Sequence, residues 1–269
     1  MTASPDERRF VAAVARAYDR TGRAWSDGPV LVYDRLARAI VAQSPVPLAG
    51  RTVLDVGAGT GAASLAAMAA GARVVAVDVA PGMLRANRAE VAGALVADAT
   101  TLPLAGASIG GLVAAFSFNH LPDPAAGFRE ATRVCRPGSP VLVSAYAAND
   151  DHPAKAAVDQ AAAAEGWAPE AWYLDLRASV VGRLATVEGM AVAAAGSGLR
   201  GEARRLVVDL PDLVPEAMVG WRMGMAQLAP FLATVDAATR WRVAERALAA
   251  LGPTPPPLRR ATILYAGPA

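Results

Sequence analysis

Between residues 51 and 146 short apolar runs alternate with alanine-rich or amphipathic stretches of helical period. Val53-Leu54-Asp55-Val56 reads as a first strand, Val74-Val75-Ala76-Val77-Asp78 as a second, and Ala94-Leu95-Val96-Ala97-Asp98-Ala99 as a third. Fourth and fifth strands follow at 109–116 and 141–146. Strands separated by helices predict a parallel sheet with right-handed crossovers. Before this block, residues 5–48 read as helices. Phe10, Val14 and Tyr18 share one face, Leu31, Leu36 and Ile40 another, and Pro45 and Pro47 end the segment. After it, 150–183 is less regular. A helix over 186–195 stops at Gly196-Ser197-Gly198, 204–210 is a sixth strand, 212–251 is helical, and 261–266 is a final strand.

The chemistry concentrates where the first strand ends. Asp55-Val56-Gly57-Ala58-Gly59-Thr60-Gly61 runs from an apolar strand into an alanine-rich helix. Glycine there lets backbone lie against a ligand, and the helix aims its first amides and positive dipole end into the loop. Asp78 closes the second strand, where a doubly wound nucleoside site places a carboxylate for ribose hydroxyls. Gly57, Gly59 and Ala62 satisfy a dinucleotide fingerprint loosely, but Gly61 and Asp55 fit it less well. A carboxylate at Asp55 repels a pyrophosphate and attracts an ammonium group.

More follows in order. Val79-Ala80-Pro81-Gly82-Met83 turns into a helix, Asp98-Ala99 follows the third strand, and Ser117-Phe118-Asn119-His120-Leu121-Pro122 follows the fourth. From about 50 to 146 this series resembles the class I S-adenosylmethionine (SAM)-dependent methyltransferases. Within them it is similar to the small-molecule family that includes the ubiquinone and menaquinone C-methyltransferases (methyltransferase type 11). The resemblance implies an α/β fold: a seven-stranded, mostly parallel Rossmann-like sheet flanked by helices, its last strand antiparallel and inserted beside the sixth. It also implies SAM as cofactor and S-adenosylhomocysteine (SAH) as product. The loop of Asp55, Gly57, Ala58, Gly59 and Gly61 would hold the methionine part, and Asp78, with Val79 beside it, the ribose. Met83 would pack on adenine, Asp98 beside Ala99 would accept its exocyclic amine, and Ser117 would offer a carbonyl to the amino group. One domain over 1–269 is expected: N-terminal helices 1–48, a SAM-binding core 49–147, and substrate lids 148–200 and 212–258.

Composition narrows the acceptor. With 54% hydrophobic and 19% charged residues and a net charge of +2, the chain can bury a sizeable core. Only its first few residues and the proline run 253–257 look unstructured. Arginines occur as scattered pairs such as Arg8-Arg9, Arg204-Arg205 and Arg259-Arg260, with Lys155 the single lysine. Scattered pairs argue against nucleic acid, as does the lack of an Asn/Asp-Pro-Pro-aromatic motif after the fourth strand. Cys135, the lone cysteine, suits core packing. No long apolar stretch marks a signal peptide or a membrane span, so the cytoplasm is expected. The five tryptophans (25, 167, 172, 221, 241) and Met190, Met218, Met223 and Met225 all lie outside the cofactor block. They suit an apolar pocket capped by helices, and the expected partners are a small apolar metabolite and a second copy of the chain.

Methyl transfer asks little of a protein beyond holding an acceptor in line, about 3 Å from the methyl carbon. An oxygen or carbon acceptor also gains from a base. The two histidines are the candidates, His120 after the fourth strand and then His152 after the fifth. Asn149-Asp150-Asp151-His152 offers oxygen ligands for a hard cation, but no matching acid follows the fourth strand, and no metal is expected. The expected function is methyl transfer to oxygen or carbon of a small, largely apolar metabolite, quinone-like or of secondary metabolism. The rivals are a non-methylating SAM-binding enzyme of cyclase type, a SAM-binding module, and an NAD-dependent oxidoreductase, which Gly61, Asp55 and Asp98 count against.

Overall fold

A computed structural model describes residues 4–269. The N-terminal segment forms α1 (Pro5–Asp19), α2 (Gly22–Asp27) and α3 (Val30–Val41). The alternating core follows as β1 (Thr52–Val56), α4 (Ala62–Ala69), β2 (Arg73–Asp78), α5 (Pro81–Arg85), β3 (Gly93–Val96), β4 (Gly111–Ala115), α6 (Pro124–Val134) and β5 (Pro140–Tyr146). The remainder is α7 (Pro153–Ala163), α8 (Ala171–Ser179), α9 (Val187–Ala194), β6 (Glu202–Leu210), α10 (Pro215–Met223), α11 (Ala229–Thr234), α12 (Ala237–Leu251) and β7 (Leu258–Pro268). The sheet order is β3-β2-β1-β4-β5-β7-β6. β3 to β5 are parallel, and β7 runs antiparallel between β5 and β6.

Helices cover both faces of this sheet, which is why its strands read as apolar runs. Alternate residues go to opposite faces. Val53, Val74 and Leu142 pack against α3 and α4. Leu54, Val56, Val141 and Val143 pack with Phe128, Ala131 and Met190 of α6 and α9. Cys135 sits in this second core, and burial pushes its thiol up to about 12, which leaves it inert.

Two stretches depart from the sequence reading. The region 150–183, read as irregular, holds α7 and α8. Ala157, Val158 and Ala161 of α7 pack with Val219, Val243 and Ala247 of α10 and α12 as a separate cluster over the sheet edge. Alanine-rich helices have a weak apolar stripe, and their partners come from distant sequence. The proline run 253–257 is also pinned, since the Pro256 carbonyl accepts a hydrogen bond from His152. The first few residues, also read as unstructured, include 1–3, which lie outside the described residues.

Candidate active site

The carboxyl edge of the parallel strands opens into a cavity of about 790 Å³, where an open α/β sheet binds its ligands. One half is lined by Gly57, Ala58, Gly59, Thr60, Asp78, Val79, Met83, Asp98, Ala99 and Ser117. Backbone geometry fixes the loop. Gly57 has φ +72° and a Cβ there would collide with Cβ of Ser117. Gly61 has φ +92° and a Cβ would strike the Asn87 side chain. Gly61 therefore serves the packing of the loop.

Two acids hold this loop in different ways. Asp78 Oδ2 accepts the Gly59 amide at 2.9 Å and Oδ1 the Ala80 amide at 2.8 Å. Burial raises its pKa, and those amide bonds hold it down. The carboxylate of Asp78 also lines the cavity. Asp55 is 1% exposed beneath the loop, its Oδ2 accepting the Ser64 hydroxyl of α4 at 2.6 Å and its Oδ1 without a partner. Burial pushes Asp55 up to about 7, against the pull of the Ser64 hydrogen bond.

Asp98 Oδ1 caps the turn after β3 by accepting the Thr100 amide and hydroxyl at 2.8 and 2.7 Å. Ser117 donates its hydroxyl to the Val56 carbonyl at 2.6 Å and so ties β4 to β1. These residues fit SAM on one count in particular: the floor at Gly57 and Gly59 has no side chain, and Thr60 Oγ1 above it is buried without a partner. Asp78, with Val79 beside it, would take the ribose hydroxyls, Met83 the adenine face, and Asp98 the exocyclic amine.

The other half of the cavity is aromatic. Tyr18, Trp25, Tyr33, Phe116, Tyr146 and Trp172 line it, supplied by α1, α2, α3, the end of β4, β5 and α8. Phe116 and Tyr146 stack with centroids 4.5 Å apart, and Tyr33 meets Phe116 edge-on at 5.4 Å. Phe116 holds φ +58°, a strained conformation at the carboxyl end of β4. Phe116 and Tyr146 were legible only as strand ends and Tyr33 belonged to no pattern, since these rings meet only through the fold. Trp167 instead donates its indole N–H to the Gln227 carbonyl, and Trp241 is exposed.

The histidines separate. His120 lines the cavity with Nε2 3.0 Å from the Tyr18 hydroxyl. Burial drives its pKa down to about 4, and hydrogen bonds to the backbone of Ser117 and Phe116 recover part of that. Which of the two donates across the Tyr18–His120 contact depends on the imidazole tautomer. His152 does not reach the cavity mouth expected of it. It is the N-cap of α7, its Nδ1 accepting the Ala154 amide at 3.2 Å and its Nε2–H donating to Pro256 at 2.9 Å. Pro153 at the first helical position was the readable sign of that cap. Among the described residues no cluster of three metal-ligating acids, histidines or cysteines occurs, and no helix is long and apolar enough to cross a membrane.

An open, mostly parallel sheet with a glycine loop and an acid at the next strand end defines a doubly wound nucleoside-binding protein. Residues 54–143 match the family described as Methyltransferase domain. The chain is 36% identical over 138 residues to a demethylmenaquinone methyltransferase of Clavibacter sepedonicus, covering 49% of this chain and 55% of the relative. It spans about half the length of the curated relatives it matches. Among solved structures, a protein of Anabaena variabilis described as a methyltransferase from an antibiotic biosynthesis pathway superposes with TM-score 0.59 at 17% identity, over 86% of this chain and 96% of that one. Phosphoethanolamine N-methyltransferase 2 of Haemonchus contortus, solved with SAH, superposes at 0.53 with 18% identity, over 87% and 52%. Over that match and in its fold, the chain is similar to the class I SAM-dependent methyltransferases.

Proposed function

We propose that the protein transfers a methyl group from SAM to oxygen or carbon of a small acceptor with a flat, apolar body. One observation carries this reading. The glycine and Asp78 half and the aromatic half are walls of one continuous cavity, so a nucleoside and a flat molecule would lie side by side. SAM supplies an activated methyl on its sulfonium. The chain supplies position: loop amides and Asp78 for the nucleoside, and the Tyr33, Phe116 and Tyr146 rings for the acceptor. His120 stays neutral at working pH, and with Tyr18 against its Nε2 the pair takes up an acceptor proton through the phenol. His152, which caps α7 away from the cavity, supports that helix instead.

Calorimetric titration with SAH, SAM and NAD tests the cofactor half. Micromolar or tighter binding of SAH, absent for NAD, is expected. Binding of NAD alone overturns the proposal. Release of SAH on incubation with SAM and a panel of flat phenols, enols and quinones then finds the acceptor.

A further inference from the structure

The far wall of the cavity is built of hydrogen-bond donors. Arg260 of β7 is only 1% exposed yet lines the cavity. Its guanidinium lies over the Tyr146 ring at 4.3 Å and the Trp221 ring at 4.6 Å. Nη2 pairs with Oδ2 of Asp150 at 2.5 Å, while Nε and Nη1 have no hydrogen-bond partner. The indole N–H of Trp221 and the Tyr146 hydroxyl beside it are buried and equally without partners. Lys155 lines the same wall and donates to the Asp150 carbonyl at 2.6 Å.

Arg222 shows the contrast. It also lines the cavity, but two bonds of 2.7 Å to Asp159 occupy it. A purely structural arginine is satisfied in that way, because each buried donor left open costs on the order of 1–3 kcal/mol. Here the open donors of Arg260, Trp221 and Tyr146 share one wall of the cavity, with the guanidinium over both rings. They ask for an acceptor of hydrogen bonds, and the cation asks for it to be negative. The rings ask for it to be flat. Lys155 on the same wall is lowered to about 8, first by burial and then by the charge of Arg260, with Asp150 and Asp151 pulling the other way.

We propose that this wall binds the anionic oxygen of a planar, conjugated acceptor, a carboxylate or an acidic enol, on the free donors of Arg260 with Trp221 and Tyr146. The inference rests on the methyl-transfer reading only for calling the bound molecule an acceptor.

Charged and neutral probes of one shape test it. Calorimetry at pH 7.5 with saturating SAH compares 2-naphthoate with 2-naphthamide, and 2-hydroxy-1,4-naphthoquinone with its neutral 2-methoxy ether. At least one anion is expected to bind about tenfold or more tightly than its twin, and the pair that does so names the anionic group. Arg260→Met combined with Asp150→Asn, which strands no charge, is expected to bring the ratio to about one, while Arg260→Lys keeps part of it. Equal binding within both pairs in the unaltered protein overturns the proposal without any variant. So does a preference that survives in the double variant. Failure of SAH to bind would instead strike the methyl-transfer reading, and the same ratios measured without SAH would still decide the anion site.

Discussion

The Tyr18 hydroxyl stands 3.0 Å from Nε2 of His120, and their rings meet edge-on with centroids 5.4 Å apart. This contact ties the first helix to the loop after β4 within the cavity that both residues line. Burial raises the Tyr18 phenol and lowers the His120 imidazole, so both are held neutral.

The pH consequence has a definite sign. His120 titrates near 4 when folded and near 6.5 when unfolded. Between those values the unfolded chain binds the extra proton, so stability is full above about 6.5 and falls as pH drops toward 4, by at most about 3 kcal/mol. Proton NMR of the two histidines from pH 8 to 4 is expected to show the His120 resonance unshifted until below pH 5. A midpoint near 6.5 would remove the neutral-base argument.

His152 and His120 are expected to respond differently to alanine. His152→Ala removes the α7 cap and the clasp on Pro256, a loss of about 1–2 kcal/mol. The cofactor half is untouched by it, so SAH affinity should stay within about twofold. His120→Ala should lower turnover by about 10²-fold or more with a smaller change in KM. Thermal unfolding alongside SAH titration and kinetics checks both.

Asp78 serves the loop and the nucleoside together. Asp78→Asn keeps an oxygen for one amide and should weaken SAH about tenfold. Asp78→Ala frees the Gly59 and Ala80 amides as well and should weaken it about 100-fold, with about 1–2 kcal/mol of stability lost. Calorimetry of the two variants, with circular dichroism to confirm the fold, separates these effects.

What the sequence made legible was local. Glycines at 57, 59 and 61, the acid at 78 and the apolar runs all act within a strand-turn-helix unit, so spacing reveals them. Even there the roles differ from a flat reading of the loop, because Asp55 and Gly61 hold helix α4 and Asn87 from behind. Contacts through space were not legible. Arg259 and Arg260 look like a surface pair, yet in β7 alternate residues face opposite sides, and only Arg259 is exposed. Nothing in the residues around Tyr18 marks a partner 102 positions away.

Gly57→Ala adds a Cβ at φ +72° and against Cβ of Ser117. The backbone strain alone costs of order 1–3 kcal/mol, and the clash pushes the loop away from Ser117. Loss of SAH binding is expected even where the variant folds. Pairing it with Ser117→Gly removes the clash and leaves the strain, so part of the lost stability and affinity should return. Full recovery, or none, would show that the two residues do not oppose each other as placed.

Asp55 gives the opposite pH sign to His120. Its carboxyl titrates near 7 when folded against an ordinary value of 3.8, because it is buried with one oxygen unpaired. The folded chain therefore holds the extra proton between those values, and stability falls as pH rises through that window. Asp55→Asn keeps the carbonyl that accepts from Ser64 and removes the charge. Its stability relative to the unaltered protein should rise from pH 5 to pH 8 by about 2 kcal/mol. An ammonium group bound in the glycine loop would favour the ionised carboxylate, so SAH affinity should rise with pH through 7 in the unaltered protein and lose that rise in Asp55→Asn. Urea unfolding and SAH calorimetry at pH 5 and 8 measure both, and a variant whose stability relative to its parent does not rise between them would contradict the buried, half-satisfied carboxyl.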